Sequence, residues 1–224
     1  MKLSEKTLEI LKNFSTINAH LFIEKDANTI RTMSESKHIF AEVTVDEVFP
    51  ANIGIMNLHK LLQTISVFDD PDIVFEESFL TISDLKTRTK FKYLYTDPSC
   101  LRYPKSGARE FPTPCSFVLS KDTIGRLLQA SRVTSLPDVK INYDSNVVTL
   151  EVLDRATKSS NVFSLEVTGE GQSPVTAFMK IENLKLIPDE YQMFVSEKAA
   201  RLKNLSPEWK SLQYFIGMEI ANVR

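Results

Sequence analysis

Residues 3–17, LSEKTLEILKNFSTI, return as residues 119–133, LSKDTIGRLLQASRV. At a fixed offset of 116 positions Leu3/Leu119, Ser4/Ser120, Thr7/Thr123, Leu11/Leu127 and Ser15/Ser131 are identical, and Leu8/Ile124 and Ile17/Val133 are conservative pairs. Amphipathic helices share spacing, but they need not share identities at a fixed offset. A chain written twice folds as two copies of one plan. With 224 residues, 42% of them hydrophobic, each copy has enough apolar material for its own core.

Both segments read as the same helix start. Ser4 and Ser120 are N-cap residues whose hydroxyls can accept a first-turn N–H. Leu3 and Leu119 before the caps, with Leu8 and Ile124 after them, have hydrophobic-staple spacing. Glu5 and Asp122 suit the positive end of the helix dipole. Leu8, Leu11 and Phe14 form one apolar stripe, and Ile124, Leu127, Leu128 and Ser131 form the other. Each helix leads into a turn of the form Ile-x-x-Asp-x-Asn, at Ile23–Asn28 and at Ile141–Asn146. Strand-like runs follow at 40–45 and 163–168. A second helix is expected after Met56 in one copy (57–68) and after Met179 in the other (180–187, stopped by Pro188). Each copy closes on strand-like runs, at 73–75, 79–82 and 91–95 in the first and at 213–218 in the second. The expected class is α+β: a first domain at 1–96, a connector at 97–116 containing four prolines, and a second domain at 117–224.

Signals for catalysis are thin. Six glycines are scattered, and Thr168-Gly169-Glu170-Gly171-Gln172 reads as a turn rather than a nucleotide-binding loop. His20, His38 and His59 have neither mutual i, i+4 spacing nor cysteine neighbours, so no metal site is expected. Cys115 lies in the connector without a nearby His, and Cys100 and Cys115 read as two reduced thiols of an intracellular protein. Asp69-Asp70 and Glu76-Glu77 read as solvated turns. No catalytic residue, cofactor or metal is expected. The N-terminal stretch carries charge every few residues, so a signal peptide is not expected, and no run of about 18 apolar residues points to a membrane.

Lys+Arg 27 against Asp+Glu 29 leaves a formal charge of −2, against a protein that holds nucleic acid by bulk attraction. The charge is nevertheless partitioned. The four expected helical segments carry a net +5, leaving −7 for the remainder. Their basic residues include Lys2, Lys12, Lys60, Lys121, Arg126, Arg132, Lys180 and Lys185. On a helical wheel Arg126, Gln129 and Arg132 point away from the apolar stripe, as Lys12 does in the first copy. One such helix reads as an ordinary solvated face; four read as a phosphate-facing surface, sequence-independent and salt-sensitive.

The opening MKLSEKTLEILKNFSTIN, the connector's Asp97-Pro98-Ser99 and Phe111-Pro112, and the duplication over the whole length together resemble the sliding clamps of T-even-type bacteriophages, the polymerase processivity factors of the DNA-clamp superfamily. The resemblance implies a DNA-clamp fold of two duplicated domains, each with two helices on antiparallel sheets, closed into a homotrimeric ring with helices lining the hole. It implies duplex DNA inside, with the basic residues above facing it, and the replicative DNA polymerase as partner. An ATP-dependent clamp loader and a role in late transcription are further implications, and the setting would be the cytoplasm of the infected host. Ring closure would pair the run 91–95 of one subunit with 162–168 of the next. A partner peptide would dock on Leu101, Tyr103, Phe111 and Pro112 beside Tyr214; a second reading has these aromatics pin the connector to the sheet.

Two other classes compete. A ring-forming viral structural or scaffold protein would use the same duplicated sheets without sliding on DNA. A hydrolase at the domain junction would rest on Cys115, Asp69 and Glu76.

Overall fold

The computed structural model describes residues 1–84, 86–157, 159–209 and 211–219. They form two compact units, Met1–Ser36 with Phe40–Gly107, and Lys37–Ile39 with Ala108–Arg224. The division at 107/108 falls inside the proline-rich segment.

In the first unit, helix α1 (Glu5–Ile17) starts where Ser4 Oγ accepts the Thr7 N–H at 3.2 Å. It buries Thr7, Ile10, Leu11 and Phe14, the i, i+3, i+4, i+7 spacing of one helical face, and Ile17 one turn further on. Glu47 strengthens this start by accepting from the Ser4 N–H at 2.7 Å and the Thr7 hydroxyl at 2.6 Å. The strands are β1 (Leu21–Ile23), β2 (Thr29–Met33), β3 (Ile39–Thr44) and β4 (Ile53–Ile55), where β1 pairs with β4 and β2 with β3, both antiparallel. Helix α2 (Leu58–Ile65) is capped by Asn57, whose Oδ1 accepts the Lys60 N–H at 2.9 Å, and it buries Leu58, Leu61, Leu62 and Ile65. A three-stranded antiparallel sheet follows, β5 (Asp72–Phe75), β6 (Phe79–Asp84) and β7 (Thr89–Leu94), in that order. Met1 lies beside β5: its N donates to the Ile73 carbonyl at 2.7 Å, and the Ile73 N–H returns a bond to Met1 O at 3.0 Å.

The second unit repeats this order with one strand added and a 3-10 turn in place of α2. The added strand is β8 (Cys115–Leu119); helix α3 (Lys121–Thr134) follows, with Ser120 Oγ accepting the Thr123 N–H at 3.1 Å. Then come β9 (Asp138–Asp144), β10 (Val147–Leu153), β11 (Phe163–Gly171), β12 (Val175–Lys180), β13 (Tyr191–Val195), β14 (Ala199–Asn204) and β15 (Gln213–Gly217). They form a continuous antiparallel run, β12-β9-β10-β11-β8-β13-β14-β15. The β9–β10 connection has Ser145 and Asn146 both at positive φ (52° and 68°), the left-handed pair of a two-residue hairpin turn. The pairings β9–β12, β10–β11 and β13–β14–β15 mirror β1–β4, β2–β3 and β5–β6–β7.

Three expectations are corrected. The fourth helix, expected over 180–187, is a single 3-10 turn at Ile181–Asn183. Leu184, Leu186 and Ile187 are all buried, so an α-helix there would have no polar face, and Pro188 turns Ile187 away from helical backbone. The glycine-containing stretch expected as a turn at 168–172 continues β11 as far as Gly171: a side chain at Gly171 would come within 2.7 Å of the Tyr143 ring, which lies against the strand. The charge partition is also weaker. Helix α1 is neutral, α2 carries one net positive charge and α3 two. Meanwhile Lys86, Arg88, Lys90 and Lys92 make the β6–β7 hairpin basic.

Candidate nucleic-acid interface, docking edges and connector

Helices α1, α2 and α3 each turn one apolar face inward and leave the opposite face to solvent. Lys12, Lys60, Lys121, Arg126 and Arg132 are all on those outward faces. They are not equivalent. Arg126 Nε lies 2.7 Å from Asp122 Oδ2 one turn earlier, so part of its charge is already matched. Arg126 also shares a surface groove with Ala130, Val133 and Phe163, whereas Arg132 lies in the row of Lys121 and Gly125.

The remaining three predicted basic residues lie off the helices. Lys2 precedes α1 and forms an exposed ion pair with Asp70. Lys180 ends β12 and reaches Asp138 at 2.6 Å; that carboxylate is 2% exposed and also accepts the Arg155 N–H at 3.1 Å. A buried carboxylate needs its cation, so Lys180 is held structurally and leaves the phosphate-facing set. Lys185 is half-buried in the irregular stretch after the 3-10 turn.

The connector's first half is tied to the first unit. Asp97 caps the short 3-10 turn Pro98–Cys100 through the Ser99 N–H and hydroxyl, which hold its carboxyl below the usual carboxylate range. Leu101 is buried against Gly54, where a side chain would strike the Thr96 carbonyl. The Arg102 N–H donates to His20 Nδ1 at 3.0 Å, and its carbonyl accepts from Asn18 Nδ2 at 3.0 Å. Tyr103 stacks at 4.6 Å on Phe22. Leu101 and Tyr103 therefore act as pins on the first unit.

The second half differs. Phe111 meets Phe215 edge to face at 6.3 Å, and with Pro112, Pro114, Pro174, Val175 and Ala199 it lines an apolar cavity of about 460 Å³. Tyr214 is 0% exposed and lies in the core of the second unit, so it is withdrawn from the partner pocket. The strand alternation that buries Tyr214 turns Phe215 to the other face. That period-two pattern was the available signal for Phe215; Pro174 and Val175, far away in sequence, gave none.

Strands β7 and β11 both keep an open edge among the described pairings. Strand β7 pairs only with β6. Strand β11 pairs with β10 over Phe163–Thr168, whereas β8 takes its other edge only at Gly169–Gly171. Apolar surface lies beside both edges. Val67 (80% exposed) and Phe68 line a groove with Phe91 beside α2, and Val133 (77% exposed) lines the groove with Phe163 beside α3.

Among the described residues the candidate catalytic groups do not form a reaction centre. Burial pushes the Cys115 thiol up to about 11, away from a nucleophilic thiolate. His20 Nδ1 is engaged with backbone, and His59 is a solvated residue of α2. Among the described residues no group of three His, Cys, Asp or Glu side chains is placed to hold a metal.

Residues 2–97 match the model of the DNA polymerase processivity factor family. The chain is 26% identical to the sliding clamp of Vibrio phage KVP40 over 98% of its length and 99% of that protein. It is 22% identical to the sliding clamp of Enterobacteria phage T4, over 88% of each chain. Its fold is that of the proliferating cellular nuclear antigen of Entamoeba histolytica, with TM-score 0.70, 14% identity and coverage of 96% and 95%. The PCNA2–PCNA3 complex of Sulfolobus tokodaii is similar at TM-score 0.69, 10% identity and 95% coverage of both chains. A duplicated α+β chain with basic outward helix faces is thus similar from end to end to phage sliding clamps, matches the DNA polymerase processivity factor model over residues 2–97, and shares its fold with the two nuclear-antigen structures.

Proposed function

We propose that this chain is a non-enzymatic sliding clamp that closes around duplex DNA and tethers a replicative DNA polymerase. The observation that carries the reading is the end-to-end match to phage sliding clamps. Exposed cations on the outward helix faces support it physically. A ring needs no tight grip on DNA. Weak, sequence-independent phosphate contacts allow sliding, and topology prevents escape.

The ring we propose is a homotrimer of six similar domains, closed by β7 of one subunit against β11 of the next. Open edges on both strands, with Val67 and Phe68 beside one and Val133 beside the other, favour this closure, because an exposed edge with adjacent apolar surface needs cover. A closed ring requires an opener, so an ATP-dependent clamp loader is the implied second partner. The polymerase would present a short apolar peptide to the cavity at Phe111 and Pro112. Late transcription is a further proposed use of the same ring, and the working compartment is the cytoplasm of the infected host.

Light scattering across protein concentration tests the core of this reading. A species near three times 25.5 kDa is expected. A chain that stays monomeric at high concentration would remove the topological mechanism, and its basic helix faces would then be ordinary solvated surfaces.

A further inference from the structure

We infer that ring closure uses one specific register, in which Lys92 of β7 stands opposite Glu166 of the neighbouring copy's β11. This inference rests on the ring reading above and fixes the pairing that reading leaves open.

The available lengths match. Because β8 already occupies the β11 edge at Gly169–Gly171, only Phe163–Thr168 remains free there. An incoming strand must stop at Gly169. The β7 strand has its own stop: Arg88 has φ 56°, a left-handed turn conformation that cannot continue a ladder. At its other end β7 stays extended through Tyr95, whose N–H donates to Ser78 O at 3.0 Å. Residues 90–95 therefore fit against 163–168, and Thr89 is the first residue outside the new ladder. A shift of two residues one way drives Lys90 and Phe91 into the stretch held by β8. The opposite shift forces Arg88 into the ladder.

Odd shifts are excluded by the faces, since a one-residue slip turns every side chain over. Within the three-stranded sheet Phe91 and Tyr93 stand opposite buried Ile82 and Leu80, so they belong to the inner face; Lys90, Lys92 and Leu94 belong to the outer. On β11, Leu165 and Val167 stand opposite buried Leu150 and Val148, leaving Ser164, Glu166 and Thr168 outside. The stop-defined register then pairs Phe91 with Val167, Tyr93 with Leu165 and Tyr95 with Phe163 on the inner face. Outside it pairs Leu94 with Ser164 and Lys92 with Glu166. Opposite charges face each other at Lys92 and Glu166 without having been used to choose the register. Such exposed pairs add little strength; they discriminate against shifted pairings and make closure salt-sensitive.

Directed crosslinking reads the register. In a Cys100→Ser, Cys115→Ala background, Leu94→Cys with Ser164→Cys is compared with Leu94→Cys with Val162→Cys and Leu94→Cys with Glu166→Cys, under oxidised glutathione. Directly opposed positions lie within disulfide reach, whereas positions two residues off are roughly 7–8 Å apart. The 94/164 pair is expected to form intersubunit disulfides at least about tenfold faster than either alternative. An assembled protein in which the 94/162 or 94/166 pair crosslinks as fast would overturn the register and leave the ring intact. A wild-type chain that never self-associates in light scattering would overturn both. As a second readout, Lys92→Glu or Glu166→Lys alone should weaken association about tenfold, and the double exchange should restore it to within about threefold. Additive weakening in the double variant would equally overturn the pairing.

Discussion

Tyr191 and Tyr214 meet edge to face with ring centroids 5.9 Å apart, and both hydroxyls close on Ile187. Tyr191 Oη donates to the Ile187 carbonyl at 2.6 Å, and the Ile187 N–H donates to Tyr214 Oη at 3.2 Å. This pair supplies the hydrogen bonds that a helix would otherwise have given Ile187 in the buried stretch 184–187. The second unit thereby dispenses with a counterpart of α2.

Removing either hydroxyl is accordingly a stability lesion. Tyr191→Phe leaves the Ile187 carbonyl buried without that donor and is expected to cost about 1–3 kcal/mol in urea unfolding. Tyr214→Phe should cost a similar amount while leaving peptide binding at the Phe111 cavity unchanged. A selective loss of peptide affinity with intact stability would return Tyr214 to the docking surface.

These residues also mark where the sequence stopped being readable. Capped amphipathic helices announce themselves locally, so α1 and α3 were legible from Ser4 and Ser120, and α2 from its Leu58, Leu61, Leu62, Ile65 stripe. The stretch 180–187 has the same apolar content, but its backbone partners, Tyr191 and Tyr214, come from strands further along the chain. Gly171 was misread for a similar reason: the ring it accommodates, Tyr143, lies on another strand. Of the candidate DNA-facing set, the cations on helices could be placed from spacing, whereas the commitment of Lys180 to buried Asp138 depends on a hydrogen bond between residues 42 positions apart. The basic β6–β7 hairpin was hidden by summing charge over everything outside the helices.

Glu47 gives the start of α1 a pH dependence. Burial alone would raise its carboxyl, but the Thr7 hydroxyl and Ser4 N–H bonds outweigh that and hold it below the ordinary value. A lowered folded-state pKa means the stabilisation is fully present above the unfolded value of about 4.3 and lost as pH falls through the folded one. Glu47→Gln should therefore be less stable than wild type near neutrality, by about 1 kcal/mol, and the gap should close below about pH 4. Thermal melts of both proteins from pH 3 to 7 check this. A gap that stays constant across that range would mean the charge is irrelevant.

Thr32 offers the opposite kind of change. Its Oγ1 is buried without a hydrogen-bond partner among the described residues, on a strand whose core neighbours are apolar. Thr32→Val keeps the shape and removes the unsatisfied group, so the folded state should gain about 1 kcal/mol. Denaturant midpoints decide it, and a drop in stability would reveal an ordered water on that hydroxyl.

Arg132 and Arg126 lie on the same helix, yet they should not contribute equally to DNA binding. Arg126 is held by Asp122 and lines the groove with Val133 and Phe163, beside the proposed subunit edge. Arg132 stands in the row of Lys121, with no acid in that row of α3. Arg132→Ala should reduce the slope of log affinity against log salt by about 0.9 for each phosphate it no longer neutralises, whereas Arg126→Ala should change it little. Clamp-dependent DNA synthesis should follow the same order, falling severalfold for Arg132→Glu at moderate salt. Asp122→Asn supplies the control, because it releases Arg126 without adding a charge. If freed Arg126 faces DNA, the salt slope of that variant should steepen; if it faces the proposed subunit edge, the slope should hold while self-association changes. Equal effects of Arg126→Ala and Arg132→Ala, with unchanged assembly, would mean that α3 presents its whole outward face to the duplex and that the Asp122 pair opens at no cost.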